Sequence, residues 1–331
     1  MSALPSLGVG FPPGPRIVEL ARRAEELGYA RVWLFDSAGL YEDVWMWLAL
    51  TARETSIPLG TAVLVPNLRH VMTTAAAIST LEGLAPGRTA YGFGTGATAR
   101  WVLGKGALSW ATTRRYIETL RALLRGEVVE IDGARTQMLH HADLAVSRPI
   151  VVPLLLSAVG PKGQEIAREI ADGIIKFGGG VEGFDRCVSM MYGTVLDPGE
   201  DLMTPRVREA VGPWYVLAYH GTWQMAGEAV DGLPLGRDWR AAIEAERPEG
   251  ERHLAVHEGH VTHVVERDRA VLDAAGDGVA GFGWIGTPDE LRARAEAAAA
   301  SGVTELLYTP SGPDLDREMG AFMAALRHSS V

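Results

Sequence analysis

Residues 151–180, VVPLLLSAVGPKGQEIAREIADGIIKFGGG, leave the backbone few choices. Val151 to Leu156 is a short apolar run between Pro149 and Gly160, the composition of a strand buried on both faces. Lys162 to Ile170 carries Ile166, Ala167 and Ile170 at helical spacing with charges between them. Asp172-Gly173 breaks that helix, and Ile174 to Phe177 is a second buried run. Two buried strands joined by a helix make a βαβ unit. Its strands run parallel, so the loops leaving them lie at the same end of the sheet. Gly178, Gly179 and Gly180 follow at once. Such a run turns a chain, and its unhindered amides can also close on an anion.

The same alternation runs through the rest of the chain. Leu4 to Phe11, Arg31 to Phe35, Leu59 to Val65 and Thr89 to Phe93 read as strands. Between them lie helical patterns over Ile17 to Leu27, closed by Gly28, from a cap at Asp43 to about Arg53, and over Val71 to Leu84. Residues 97–148 interrupt the rhythm. Thr112 to Leu124 is a helix, and VVEIDG followed by LHHADLAV reads as a small hairpin outside the main sheet. Cys187 to Leu196 reads as strand, Asp197 to Gly250 as helices broken by Gly and Pro, Arg252 to Ala275 as one helix, and Val279 to Trp284 as extended. Thr287-Pro288-Asp289 starts a helix that Gly302 ends, Glu305 to Tyr308 is a strand, and Asp314 to Leu326 is the last helix. About eight strands alternate with helices and no linker divides them. The expectation is an α/β chain forming a (β/α)8 TIM barrel, one domain over 1–331, with an excursion between strands 4 and 5. A doubly wound open sheet is the alternative.

The chain has 331 residues and a formal net charge of −10, which argues against nucleic acid or an anionic membrane surface as partner and leaves a small molecule. Cys187 is the single cysteine, so no disulfide within the chain is expected. The first residues lack a signal-peptide pattern and no run reaches a membrane span, so a soluble cytoplasmic protein is expected. Trp45, Trp47, Trp101, Trp110, Trp214 and Trp223 fall in or near loops, where they line an apolar pocket or simply pack.

In a barrel the chemistry sits at the C-terminal ends of the strands. Those ends are Phe11, Asp36-Ser37, Pro66-Asn67, Gly94-Thr95-Gly96, Ser157 to Pro161, Gly178 to Gly180, and Thr309 to Gly312. They are rich in glycine and poor in ionisable groups, which suits a flat or phosphorylated ligand held by backbone. HExxH, GxSxG and Walker patterns are missing, and GFGTGA at 92–97 lacks the last glycine of a dinucleotide fingerprint. Asp36 is a hydrogen-bond partner or proton relay for a ligand, or else a turn cap. On a continuous helix His253, His257 and His260 share one face near Glu258. His257-Glu258-Gly259-His260 is one residue too short for the zinc-peptidase motif. A structural or pocket role is expected for these histidines, and no metal.

Five blocks in order carry a resemblance. They are ARRAEELGYARVWLFDS at 21–37, LGTAVLVPNLRH at 59–70, AAAISTLEGLAPGRTAYGFGTG at 75–96, PLLLSAVGPKGQEIAREIADGI at 153–174 and IGTPDELRARAEAAAASGVTEL at 285–306. Together they resemble the luciferase-like superfamily of flavin- and deazaflavin-dependent oxidoreductases. The pattern is closest to the methylenetetrahydromethanopterin reductase branch, whose members use the deazaflavin coenzyme F420. The resemblance implies a (β/α)8 barrel and F420 as cofactor, with FMN as the alternative. By position it implies a non-prolyl cis peptide at Ala62-Val63 behind the ring, and contacts from Gly94, Thr95 and Gly96. It places Ser157 and the turn Ala158-Val159-Gly160-Pro161 along the ribityl chain, Gly178, Gly179 and Gly180 around the phosphate, and Asp36 as an acid near the ring.

Three positions depart from the pattern. The reductase branch has Glu where this chain has Gly10, and the sugar-phosphate dehydrogenase branch has His and Glu where this chain has Ser37 and Ala97. The resemblance therefore implies hydride transfer between F420 and a small, apolar or aromatic substrate without either known acid/base set. An FMN-dependent monooxygenase and a catalytically silent cofactor-binding protein are the alternatives. Dimers are common in the family, and no feature of the sequence demands one.

Overall fold

A computed structural model describes residues 4–281 and 283–327. Eight strands close into a parallel barrel whose order follows the chain: β1 (Ser6–Phe11), β2 (Arg31–Leu34), β3 (Leu59–Leu64), β4 (Thr89–Phe93), β5 (Leu154–Ser157), β6 (Gly173–Phe177), β7 (Cys187–Met191) and β8 (Glu305–Tyr308). Local chemistry sets the helix ends between them. Gly28, at φ +80°, closes the helix Ile17–Leu27. Asp43 caps Val44–Glu54 by accepting the amides of Trp45 and Met46, and Thr287 and Glu290 form a reciprocal capping box at the start of Pro288–Ala300.

Trp33 plugs the barrel. It sits among Ala62, Ala90, Leu155, Ile175, Val188 and Leu307, and its Nε1 donates to Glu305 Oε1 at 2.6 Å. Glycine makes room for it, since a Cβ at Gly60 would stand 2.4 Å from the ring. The closed sheet excludes the open doubly wound alternative.

Several expected elements differ. β5 begins at Leu154, and Val151, read as buried strand, is 86% exposed. LHHADLAV is no strand. The hairpin pairs Val129–Ile131 with Ala134–Thr136 across Asp132 (φ +51°) and Gly133 (φ +79°), a two-residue turn that fixes the register. The helix Trp110–Arg125 packs between Val71–Leu84 and Pro161–Ile170 in the outer ring, so it belongs to the barrel and not to the excursion. The larger excursion falls between β7 and β8. There the expected helix over 252–275 is two, Arg252–Val256 and Glu266–Ala274. Gly259 (φ +69°) and Val261 (φ +54°) take left-handed conformations that end the first. The stretch expected to be extended holds a 3-10 turn, Gly276–Gly281, and a short strand, Trp284–Gly286, with Phe282 outside the described residues.

That excursion forms a helical cap with its own core of Val207, Val211, Tyr215, Tyr219, Trp239, Ile243 and Leu272. It sits over the C-terminal ends of the strands. Ser311, after β8, donates to Ala210 O at 2.6 Å, and Tyr41, after β2, donates to His260 O at 3.2 Å. Among the described residues no helix is long and apolar enough to cross a membrane.

Candidate functional site

The mouth of the barrel under the cap gathers most of the residues singled out above. The Ala62-Val63 peptide is cis, and the β3–β4 register shifts between Thr61 and Leu64. Val63 bulges toward β4, where a Cβ on Gly94 would lie 2.8 Å from its Cγ2. The same Cβ would stand 3.6 Å from Ser157, so β3, β4 and β5 meet here. Gly94 N–H donates to Leu64 O, and Thr95 O accepts the amide of Leu108. Gly96, at φ +80°, starts the short helix Ala97–Trp101.

Asp36 lies beside this floor, 5% exposed. Arg69 donates to it at 2.7 Å and to Asp43 at 2.8 Å, and Tyr116 OH holds the Arg69 carbonyl. Burial pushes the Asp36 carboxyl above its ordinary range, and Arg69 offsets only part of that. Asp43 is exposed. Burial pushes it up too, but Arg69 and the amides of Met46 and Trp45 outweigh that and hold it below the usual carboxylate range. Arg69 was not singled out from sequence, although it lies within the PNLRH segment after β3.

The two glycine turns are not equivalent. Ala158 to Pro161 leads into the helix Pro161–Ile170, whose first bond runs from Gln164 N–H to Gly160 O. The amides of Lys162 and Gly163 precede that bond, at the positive end of the helix. The turn after β6 behaves otherwise. Residues 178–186 carry no helix and descend outside the barrel to the start of β7. Gly178 O accepts from Ser189, and the Gly180 amide donates to Ser301 Oγ at 2.9 Å. A Cβ on Gly180 would lie 2.1 Å from Ser301 O, at the carbonyl end of the helix Pro288–Ala300. The Gly180 amide is thus engaged, and the nearby helix end is electronegative.

An aromatic wall completes the mouth. Tyr192 and Trp214 stack at 4.6 Å between centroids, and Phe177 meets Trp214 edge-on at 6.5 Å. The Trp214 indole N–H is buried without a hydrogen-bond partner among the described residues. Of these three, only Trp214 was flagged from sequence, as a pocket-lining residue.

The histidines do not share a helical face, because the helix stops at Val256. His257 and His260, on the following turn, instead meet His220 of the helix Leu217–Ala226, with all three buried. Burial, followed by the neighbouring histidines, pushes His257 down to about 3 and His260 well below its ordinary value. His253 lies apart, over Gly104.

A parallel eight-stranded barrel with glycine-rich loops and a buried acid–arginine pair at its mouth defines an α/β-barrel enzyme built to hold a ligand by backbone. The model of the luciferase-like monooxygenase family matches residues 4–187, and the chain belongs to that family. The 5,10-methylenetetrahydromethanopterin reductase of Methanolobus tindarius is 26% identical to it, covering 94% of this chain and 96% of that one. The F420-dependent glucose-6-phosphate dehydrogenase of Kineococcus radiotolerans is 27% identical, covering 95% and 92%. The structure of coenzyme F420 dependent tetrahydromethanopterin reductase from Methanopyrus kandleri superposes with a TM-score of 0.62 at 20% identity over 98% of each chain, which shows the shared fold. The chain is thus an enzyme of the luciferase-like oxidoreductases.

Proposed function

We propose that this enzyme holds the deazaflavin coenzyme F420 at the barrel mouth and exchanges hydride with a small apolar or aromatic organic substrate. The observation that carries the reading is the floor formed where Val63 bulges against side-chain-free Gly94 and beside Ser157. Its fit to a flat ring rests on that absence of side chains. Full-length likeness to an F420-dependent dehydrogenase supports the choice of cofactor. When bound, the deazaflavin supplies hydride chemistry at C5 of its ring.

The chain's own residues do the rest. Ala62, Val63, Gly94, Thr95 and Gly96 orient the ring. Ser157, Ala158, Val159, Gly160 and Pro161 follow the side chain of the cofactor, and the amides of Lys162 and Gly163 take its phosphate at the helix N-terminus. Phe177, Tyr192 and Trp214 exclude water and favour an apolar substrate, with the Trp214 N–H free to hold one substrate oxygen. Asp36 holds a proton at its carboxyl more readily than an exposed acid, under the control of Arg69. Neither relative's substrate is carried over. A Cβ on Gly10 would lie 2.8 Å from Leu307 Cδ2, so any side chain there requires Leu307 to shift. Barrel and cap act as one domain in this reading, because the wall draws on both.

Fluorescence titration of the protein with F420 and with FMN tests the proposal. Saturable quenching by F420 is expected. Tight binding of FMN with none of F420 would replace it with an oxygen-activating monooxygenase. Binding of F420 with no reduction of any substrate in a broad panel would leave a silent cofactor-binding protein.

A further inference from the structure

The three buried histidines lie outside the chemistry described above. His220 Nδ1 stands 3.0 Å from His260 Nδ1, and His257 Nδ1 stands 3.3 Å from the same atom. One ligand atom from each residue falls within 4.8 Å of the others. Three imidazoles that share a zinc ion at about 2.0–2.1 Å place their nitrogens about 3.3 Å apart at tetrahedral angles.

The far side of each ring faces an oxygen, within hydrogen-bond distance for His257 and His260. His257 Nε2 faces Gln224 Oε1 at 3.2 Å, His260 Nε2 faces Thr98 Oγ1 at 3.1 Å, and His220 Nε2 faces Asp268 Oδ2 at 3.6 Å. Asp268 is itself oriented by Trp239 Nε1 at 2.7 Å. An imidazole that gives its Nε2 proton to an oxygen turns the Nδ1 lone pair inward, so His257, paired with Gln224 Oε1, aims a lone pair at His260. A single ring nitrogen offers either one proton or one lone pair, too little to satisfy both neighbours. Oxygen acceptors behind inward-facing nitrogens are the outer shell that metal-bound histidines carry.

Charge points the same way. Asp268 is fully buried, its Oδ2 accepts no hydrogen bond, and among the described residues no Lys or Arg pairs with it. A dication among the three Nδ1 atoms would place a positive charge one imidazole away from it.

We propose that His220, His257 and His260 bind one divalent transition-metal ion of the zinc type, which ties the helix Leu217–Ala226 to the turn after Val256 within the cap. Neutral imidazole suits such ions and not magnesium or calcium. Among the described residues the cluster offers three protein ligands, which leaves the fourth position to water. The position links the cluster to the barrel. Thr98 follows the Gly94–Gly96 loop, Trp101 stacks on His257 at 5.9 Å, and the His260 carbonyl holds Tyr41, so loops after β2 and β4 pack on two of the proposed ligands. This inference reverses the sequence expectation of no metal and does not depend on the identity of the organic cofactor.

The test uses the full-length protein. Elemental analysis after purification, and Co(II) titration of chelator-treated protein, should both give about one metal per chain, with the visible bands of tetrahedral cobalt. Asp268→Asn should weaken Co(II) binding about 10–100-fold while keeping the stoichiometry. His257→Gln should abolish binding, and His253→Ala should leave it unchanged. Chelation should lower the Tm, and Zn(II) should restore it. Wild-type protein that takes up neither Zn(II) nor Co(II) stoichiometrically overturns the proposal, whatever the variants do. So does a His257→Gln protein that binds Co(II) as the wild type does. Either result leaves a hydrogen-bonded histidine cluster.

Discussion

Asp36 owes its properties to Arg69. The carboxyl is buried, and its pKa lies above the ordinary 3.8 because burial outweighs the arginine. An acid whose folded pKa is raised contributes stability below its unfolded pKa and loses it as pH rises through the folded value. Arg69 limits that loss. Arg69→Met should therefore destabilise the protein by about 3 kcal/mol near pH 7, by leaving a buried charge unpaired. The deficit should shrink as pH falls and Asp36 protonates, and Asp36→Asn in the same chain should recover most of it. Urea unfolding at several pH values measures this, and a small, pH-independent deficit would refute it. Asp36 was visible in the sequence because it stands at a strand end. Arg69 was not, because its partner is 33 positions away and only barrel closure joins them.

At the scale of elements, two glycine-rich turns of similar composition do different work. One opens the helix Pro161–Ile170, while the other descends the barrel wall and meets a helix C-terminus. Gly160 sits at the N-cap with φ −89° and ψ +162°, and a Cβ there meets nothing. Gly160→Asp should thus keep stability or raise it by about 0.3 kcal/mol as a cap. Its carboxylate should also repel a phosphate, weakening cofactor binding at least about tenfold, which is about 1.4 kcal/mol. Gly179→Asp should leave the affinity within about twofold, since its nearest neighbour is the Ser301 side chain at 3.4 Å. Paired cofactor titrations of the two variants decide the placement, and the opposite ranking would return the phosphate to Gly178–Gly180. Helix starts such as Asp43 and Thr287 were legible because capping is local. The missing helix after β6 was not, since a glycine run reads alike whether a helix or an extended descent follows. The break at Gly259 was hidden in the same way, inside a polar stretch that reads as continuous helix.

The whole molecule is a barrel under a cap, and the two differ in how far the sequence reveals them. Alternating buried runs and amphipathic helices are local patterns, and they imply a closed parallel sheet. The cap's core draws Val207, Tyr219, Trp239 and Leu272 from separate helices, so its packing has no short-range signature. The histidine cluster follows the same rule, because His220 joins His257 and His260 only once that core forms. The cap also reaches the rim of the barrel: Trp214 meets Phe177 edge-on and stacks on Tyr192.

A structure of the protein with F420 bound tests the central claim most directly. The ring should lie against Val63 and Gly94 with the Phe177–Trp214 wall beside it, and the phosphate should accept the amides of Lys162 and Gly163. A ring outside the barrel mouth, or a phosphate at Gly178–Gly180, would contradict the account.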